Sequence, residues 1–194
     1  ALDVTVQADV LALLKELQRE TGMGVLIITH DLGVVSEVAD RVVVMEKGVL
    51  VESGTVREVY RNPQHPYTKK LIAAAPGKGE LHEPATDGEP ILKVRNARKS
   101  YGGFEALKGI SFDLKAGETV AVVGESGSGK STLARILLRL DDPDSGTAHW
   151  KGQDLFALSP GELFKLRRDL QMVFQDPTQS LNPRMTVYQL ISEA

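Results

Sequence analysis

The sequence predicts an α/β fold built around a mostly parallel sheet. Three observations carry that expectation. Short apolar, β-branched runs alternate with stretches of helical period along nearly the whole chain. One of those runs, Thr119–Val123, opens directly into a glycine-rich loop followed by an amphipathic stretch. The composition, 42% hydrophobic and 25% charged over 194 residues, is ordinary globular usage.

The elements follow in order. Val10, Leu13, Leu14 and Leu17 fall at i, i+3, i+4 and i+7, one face of an amphipathic helix that Thr21-Gly22 ends. Val25–Ile28 is long enough for a buried strand. After Thr29-His30-Asp31 comes a helical stretch with Val35, Val38 and Ala39, then a strand at Arg41–Met45. Glu46-Lys47-Gly48 turns that strand into Val49-Leu50-Val51. Thr55 and Glu58 have capping-box spacing ahead of a helix with Val59 and Tyr60, and another helix runs from Pro66 to about Ala75. Residues 76–90, PGKGELHEPATDGEP, hold six Pro or Gly in fifteen and no period, and read as a linker.

Beyond the linker, Ile91–Arg95 and Ile110–Leu114 alternate like strands of an antiparallel layer. Gly117-Glu118 leads into the buried strand Thr119–Val123, and Leu133, Ile136, Leu137 and Leu140 trace one helical face. Thr147–Lys151 is a strand. Ser159-Pro160-Gly161-Glu162 starts a helix, and a strand is expected at Leu170–Phe174.

Several classes are excluded. With no cysteine there is no disulfide framework, thiolate zinc site or iron–sulfur cluster. The longest apolar runs, Val10–Leu14 and Leu71–Ala75, fall far short of the roughly twenty residues a membrane span needs, and no secretory signal is visible. A net charge of −3 gives no bulk attraction to nucleic acid.

Gly124-Glu125-Ser126-Gly127-Ser128-Gly129-Lys130-Ser131 is a complete phosphate-binding loop, G-x-x-x-x-G-K-S. Glycines let backbone N–H groups turn inward around phosphate oxygens, and the following helix, entered through Thr132, aims its positive end at the same charge. Lys130 is placed to reach the β- and γ-phosphates of a nucleotide such as ATP, and the Ser131 hydroxyl to ligate Mg²⁺.

These motifs resemble the ATP-binding subunits of ABC transporters, over nearly the whole chain outside the linker. The fold implied is a P-loop NTPase with a RecA-like core and an antiparallel β layer. The resemblance makes Tyr101, in Lys99-Ser100-Tyr101-Gly102, an adenine-stacking ring, for which a phenol is suited. It makes Gln175, in Met172-Val173-Phe174-Gln175-Asp176-Pro177, a contact of Mg²⁺ and the attacking water. His30, ending Val25-Leu26-Ile27-Ile28-Thr29-His30, becomes the switch histidine at the γ-phosphate, and Ala1-Leu2-Asp3 the end of the D-loop. Asn62-Pro63-Gln64-His65-Pro66-Tyr67-Thr68 and Ser180–Val187 resemble signatures of the di- and oligopeptide importers, whose relatives also import nickel or glutathione.

The order of these motifs differs from that of one intact domain of the family. The histidine precedes the phosphate loop, and the 194 residues contain no LSGGQ-like run and no apolar strand ending in Asp-Glu. The expected organisation is therefore a window across a tandem double ATPase. Residues 1–75 form the tail of one domain, 76–90 a linker, and 91–194 the head of the next. A permuted domain with its middle absent is the alternative. The strand order of the family's sheet implies that Thr119–Val123 lies between Arg41–Met45 and Val25–Thr29, a permuted partial core that brings His30 towards the Ser126–Lys130 loop and leaves Leu170–Phe174 without its neighbour; two separated halves are the alternative.

The resemblance implies ATP hydrolysis in the parent protein, driving import of peptides or related solutes. The piece alone is expected to lack turnover, without its acidic strand, catalytic glutamate and signature. Implied partners are a second ATPase domain and membrane-spanning permease subunits, at the cytoplasmic face of the membrane, without direct insertion and without nucleic acid. The rival readings are a nucleotide-binding module without turnover and a soluble, non-transport ABC ATPase.

Overall fold

The computed structural model describes residues 4–74, 88–173, 182 and 184–192. The chain divides into two compact units, Ala1–Leu158 and Ser159–Ala194.

The first unit begins with α1 (Val4–Thr21), β1 (Val25–Ile28), α2 (Leu32–Val38), β2 (Arg41–Glu46), β3 (Val49–Thr55), α3 (Val56–Arg61) and α4 (Pro66–Ala73). It continues with β4 (Pro90–Tyr101), β5 (Phe104–Lys115), β6 (Thr119–Val123), α5 (Lys130–Leu137), β7 (Ser145–Trp150) and β8 (Gln153–Asp154). Two four-stranded sheets result, with orders β1-β6-β2-β3 and β5-β4-β7-β8.

The first sheet joins the two halves of the sequence. β6 pairs in parallel with β1, from Val25↔Thr119 to Ile28↔Val122, and with β2, from Arg41↔Val120 to Val44↔Val123. β3 pairs antiparallel with β2 at the edge. All five residues of β6 are buried, as expected of an apolar strand whose backbone groups are satisfied on both edges. Side chains stitch the same seam. Asp40 Oδ2 accepts from the Thr119 N–H at 2.6 Å in a buried position, and Arg41 Nη1 lies 3.2 Å from Glu118 Oε1. Gln18 of α1 donates to the Gly117 carbonyl and to Thr119 Oγ1, both at 3.0 Å. A core of Leu32, Val35, Val42, Val44, Val56, Val59, Tyr67, Ala121 and Val123 fills the space between this sheet and α2, α3 and α4.

The second sheet is antiparallel throughout. β4 and β5 extend well past the expected Ile91–Arg95 and Ile110–Leu114. The reason is a bulge at Asn96 (φ +49°), which shifts the buried positions from Leu92 and Val94 to Ala97 and so breaks the period of two. The short β8 has no periodic signal in sequence.

Three further expectations are corrected. α5 stops at Leu137, with Leu138 as its cap, and Leu140 is exposed beyond it. The apolar face of α1 is not buried: Val10, Leu13 and Leu17 are 50%, 56% and 40% exposed, and the helix is held instead through Gln18 and by Lys15, which donates to the Glu37 carbonyl. The strand expected at Leu170–Phe174 does not form over its described residues 170–173, where Val173 is 87% exposed. A strand needs a neighbour to satisfy its backbone, and the described residues supply none there.

The second unit contains α6 (Pro160–Leu166) and α7 (Val187–Ser192) among its described residues. The Ser159–Glu162 capping box forms as the sequence predicts, as does that of Thr55 and Glu58 at α3.

Candidate functional site

The phosphate-type loop leaves the carboxyl end of β6 at Gly124 and enters α5 at Lys130. Two glycines are dictated by space. A Cβ on Gly124 (φ +154°) would sit 2.1 Å from the Met45 carbonyl oxygen, and one on Gly129 (φ +100°) would sit 2.6 Å from that of Ala106. The loop therefore passes against the ends of β2 and β5 with no room for a side chain. The β2–β3 turn holds it from below, since the Gly48 N–H donates to the Ser128 carbonyl at 3.0 Å. The Ser128 N–H donates to the Glu125 carbonyl at 3.2 Å. Glu125, Ser126 and Gly127 form the exposed crest, and Ser128 is buried.

Gly129 caps α5 without any side-chain hydrogen bond, and the first turn carries no acidic residue. The amino end of α5 thus keeps its donors and positive pole open to an anion. Lys130 folds back over the loop, its Nζ 2.9 Å from the Gly124 carbonyl, 2.8 Å from that of Glu125 and 3.3 Å from Ser128 Oγ. Burial pushes its pKa down. Among the described residues the partners of this ammonium are neutral oxygens, and a phosphate oxygen would supply a counter-charge. The donor set for a cation is thinner. Ser131 is exposed at the loop exit, and no cluster of three or more His, Asp or Glu suited to a metal occurs among the described residues. A small hard cation that keeps its waters and bonds chiefly to nucleotide oxygens is compatible with one hydroxyl.

Tyr101, 45% exposed, ends β4 beside this site. Its hydroxyl donates to Asp141 Oδ2 at 2.6 Å, and Arg135 on α5 holds the same carboxylate through Nε and Nη2 at 2.8 and 2.9 Å. These two donors, Arg135 first, hold the Asp141 carboxyl far below its ordinary range, and the bond to Asp141 raises the Tyr101 phenol. The Thr132 hydroxyl also meets that phenol. Lys99 Nζ lies 5.2 Å from the ring centroid.

His30 is exposed, two residues past the end of β1. Because β1 and β6 are parallel and adjacent, with the Thr29 N–H bonded to the Val122 carbonyl at 3.2 Å, His30 and Gly124 leave the sheet at the same edge. Asp31 is committed as the cap of α2, accepting from the Gly33 and Val34 N–H groups. Gln175 and Ala1-Leu2-Asp3 lie outside the described residues.

The family described as "ABC transporter" matches residues 107–194, and the family described as "Oligopeptide/dipeptide transporter, C-terminal region" matches residues 51–100. The glutathione import ATP-binding protein GsiA of Shigella dysenteriae serotype 1 (strain Sd197) is 46% identical, covering 100% of this chain and 37% of the relative. Residues 107–194 thus carry the likeness to the ABC transporter family. GsiA of Escherichia coli (strain K12) matches with the same identity and coverage, so the chain spans 37% of the length of these curated relatives. A solved structure, cbiO1 of Clostridium perfringens, described as part of the ABC transporter complex cbiONQ, is 36% identical. That likeness covers 54% of this chain and 41% of the other, with a TM-score of 0.47. Among the described residues, no helix is long and apolar enough to cross a membrane.

Three contributors to the site escaped the sequence reading. Asp141 and Arg135 look like ordinary surface charges in sequence, and only the turn after α5 brings them to Tyr101. Tyr67 is visible in a signature but carries no role there, since nothing local says that α4 folds back to Glu125.

Proposed function

We propose that the loop Gly124–Ser131 is a MgATP site and that the chain is a piece of an ATP-hydrolysing importer subunit. The observation that carries this reading is the uncapped amino end of α5, with Lys130 resting on carbonyls in front of it. Lys130 meets the β- and γ-phosphates, and Ser131 supplies a hydroxyl to Mg²⁺. Gln175 and His30 bear on the γ-phosphate side, and Tyr101 stacks on adenine. The cargo class is peptides or related small solutes, a reading supported by the 46% identity to a glutathione import protein.

Residues 1–75 are read as the tail of one ATPase domain, 76–90 as a linker and 91–194 as the head of the next. The order of the two family matches along the chain supports this. The partners are a second ATPase domain and membrane-spanning permease subunits, which place the protein at the cytoplasmic face of the membrane. For the chain on its own a second reading is favoured, binding without turnover, because its sequence has no apolar strand ending in Asp-Glu.

The test is calorimetric titration of MgATP into the 194-residue chain and its Lys130→Ala variant. Loss of a charge-assisted contact is expected to weaken binding by about 1.5–3 kcal/mol. Equal affinity for both proteins overturns the nucleotide site. Phosphate release is expected to stay at background, and Lys130-dependent release would overturn the second reading.

A further inference from the structure

We propose that Tyr67 is a positioning residue of the phosphate loop. By accepting the Glu125 N–H, its phenolic oxygen sets the Gly124–Glu125 peptide plane and thereby the place where Lys130 rests. The inference builds on the reading of Gly124–Ser131 as the nucleotide site.

The geometry is a short chain of covalent and hydrogen bonds. The Glu125 N–H donates to Tyr67 Oη at 2.8 Å. The carbonyl of the same peptide unit, that of Gly124, accepts from Lys130 Nζ at 2.9 Å. A peptide unit is planar and trans, so its N–H and C=O point in opposite directions and turn together. Holding the N–H at Tyr67 therefore holds the carbonyl towards Lys130. With the acceptor removed, the plane is free to rotate. The carbonyl can then turn into the space an anion would enter, and fewer loop conformers are ready for phosphate.

Tyr67 is itself held firmly. It is only 8% exposed and belongs to the core that includes Val44 and Val123, the last paired residues of β2 and β6. Pro66 opens α4, and His65 caps it by accepting the Tyr67 N–H on Nδ1 at 3.3 Å. His65 and Gln64 are fixed in turn by the Glu52 carboxylate on β3, which accepts their backbone N–H groups at 2.9 and 2.7 Å. Burial works to raise the Glu52 pKa, but these donors outweigh it and the carboxyl titrates below its ordinary value. β3 pairs with β2, and β2 with β6. The ring from β6 through Glu52, His65 and Tyr67 to Glu125 thus closes on the loop that β6 begins. The Gln64-His65-Pro66-Tyr67 segment gains a physical purpose: it delivers one hydroxyl to one loop amide.

The test compares MgATP affinity of the wild-type chain with Tyr67→Phe, Leu71→Ala and Lys130→Ala, each measured well below its melting temperature. Tyr67→Phe keeps the ring and removes only the acceptor. It is expected to bind MgATP about 5–10-fold more weakly, the size of one lost hydrogen bond. Leu71→Ala loosens the same helix without touching the loop. It is expected to lower the melting temperature and leave affinity within about twofold. Affinity unchanged or tighter in Tyr67→Phe, with Lys130→Ala clearly weakened, overturns this proposal and leaves the nucleotide site standing. Equal weakening in Leu71→Ala and Tyr67→Phe also overturns it, because helix integrity then explains the effect. Wild-type affinity independent of Lys130 removes the nucleotide site and this proposal with it. Amide exchange of Glu125 in the wild-type chain needs no variant: slow exchange is expected, and exchange at the rate of a free amide overturns the proposal.

Discussion

Replacing Gly124 by alanine separates the steric demand of the loop from its conformational demand. The added Cβ would lie 2.1 Å from the Met45 carbonyl oxygen, 0.9 Å inside the 3.0 Å limit that real Cβ contacts respect. The obstacle is backbone, directly after the Val44↔Val123 pair that joins β2 to β6. Relief by movement of that size stretches neighbouring ladder bonds beyond hydrogen-bonding distance, at about 0.5–1.5 kcal/mol each. Alanine at φ +154° adds about 1–3 kcal/mol of strain.

With two such bonds lost the sum is about 2–6 kcal/mol, or a fall in melting temperature of about 4–24 °C for a chain of this size. Gly127→Ala is the control. Gly127 also has positive φ, +78°, but nothing lies within 4 Å of its added Cβ, so only about 1–2 kcal/mol of strain applies. Both variants share the same stabilising loss of unfolded-chain entropy. Thermal melts followed by circular dichroism, with MgATP titration at a temperature where both are folded, decide the matter. Melting of Gly124→Ala within a few degrees of Gly127→Ala would refute the argument that contact with β2 dictates this glycine.

Tyr101→Ala and Asp141→Asn are both expected to weaken ATP binding more than binding of inorganic triphosphate, since only ATP has a ring to meet the pinned phenol. Equal losses for the two ligands in calorimetry count against the stacking role. Acid titration tests the pin itself. The folded state lowers the Asp141 pKa from its ordinary 3.8, so its contribution is fully present above that value and fades as the pH falls towards the lowered one. Wild type and Asp141→Asn should differ in melting temperature by a constant amount from pH 5 to 8, and the difference should shrink below about pH 4. A difference that persists unchanged in strong acid excludes this carboxylate as its source.

Local chemistry made much of the fold legible before any coordinates. The Thr55–Glu58 and Ser159–Glu162 boxes, the β6–loop–α5 unit and the boundaries of β1 are set by residues within a few positions of one another, and they form as read. An apolar strand such as β6 must also find two neighbours, and the strand order implied by the family resemblance names Val25–Ile28 and Arg41–Met45, which pair with it across the linker. Tertiary structure alone decided the rest, because the controlling contacts span large sequence separations. The apolar stripe of α1 has the period of a buried face, yet burial requires a covering surface, and the described residues leave the stripe open. Leu170–Val173 has strand propensity, but among the described residues no neighbouring strand pairs with it. The loop motif announces a phosphate cradle, but its bracing came from Met45, Ala106, Gly48 and Tyr67 on other elements. A motif specifies the groups that would face a ligand. The positions of those groups are set by packing from behind, and that packing is written in residues far away in the chain.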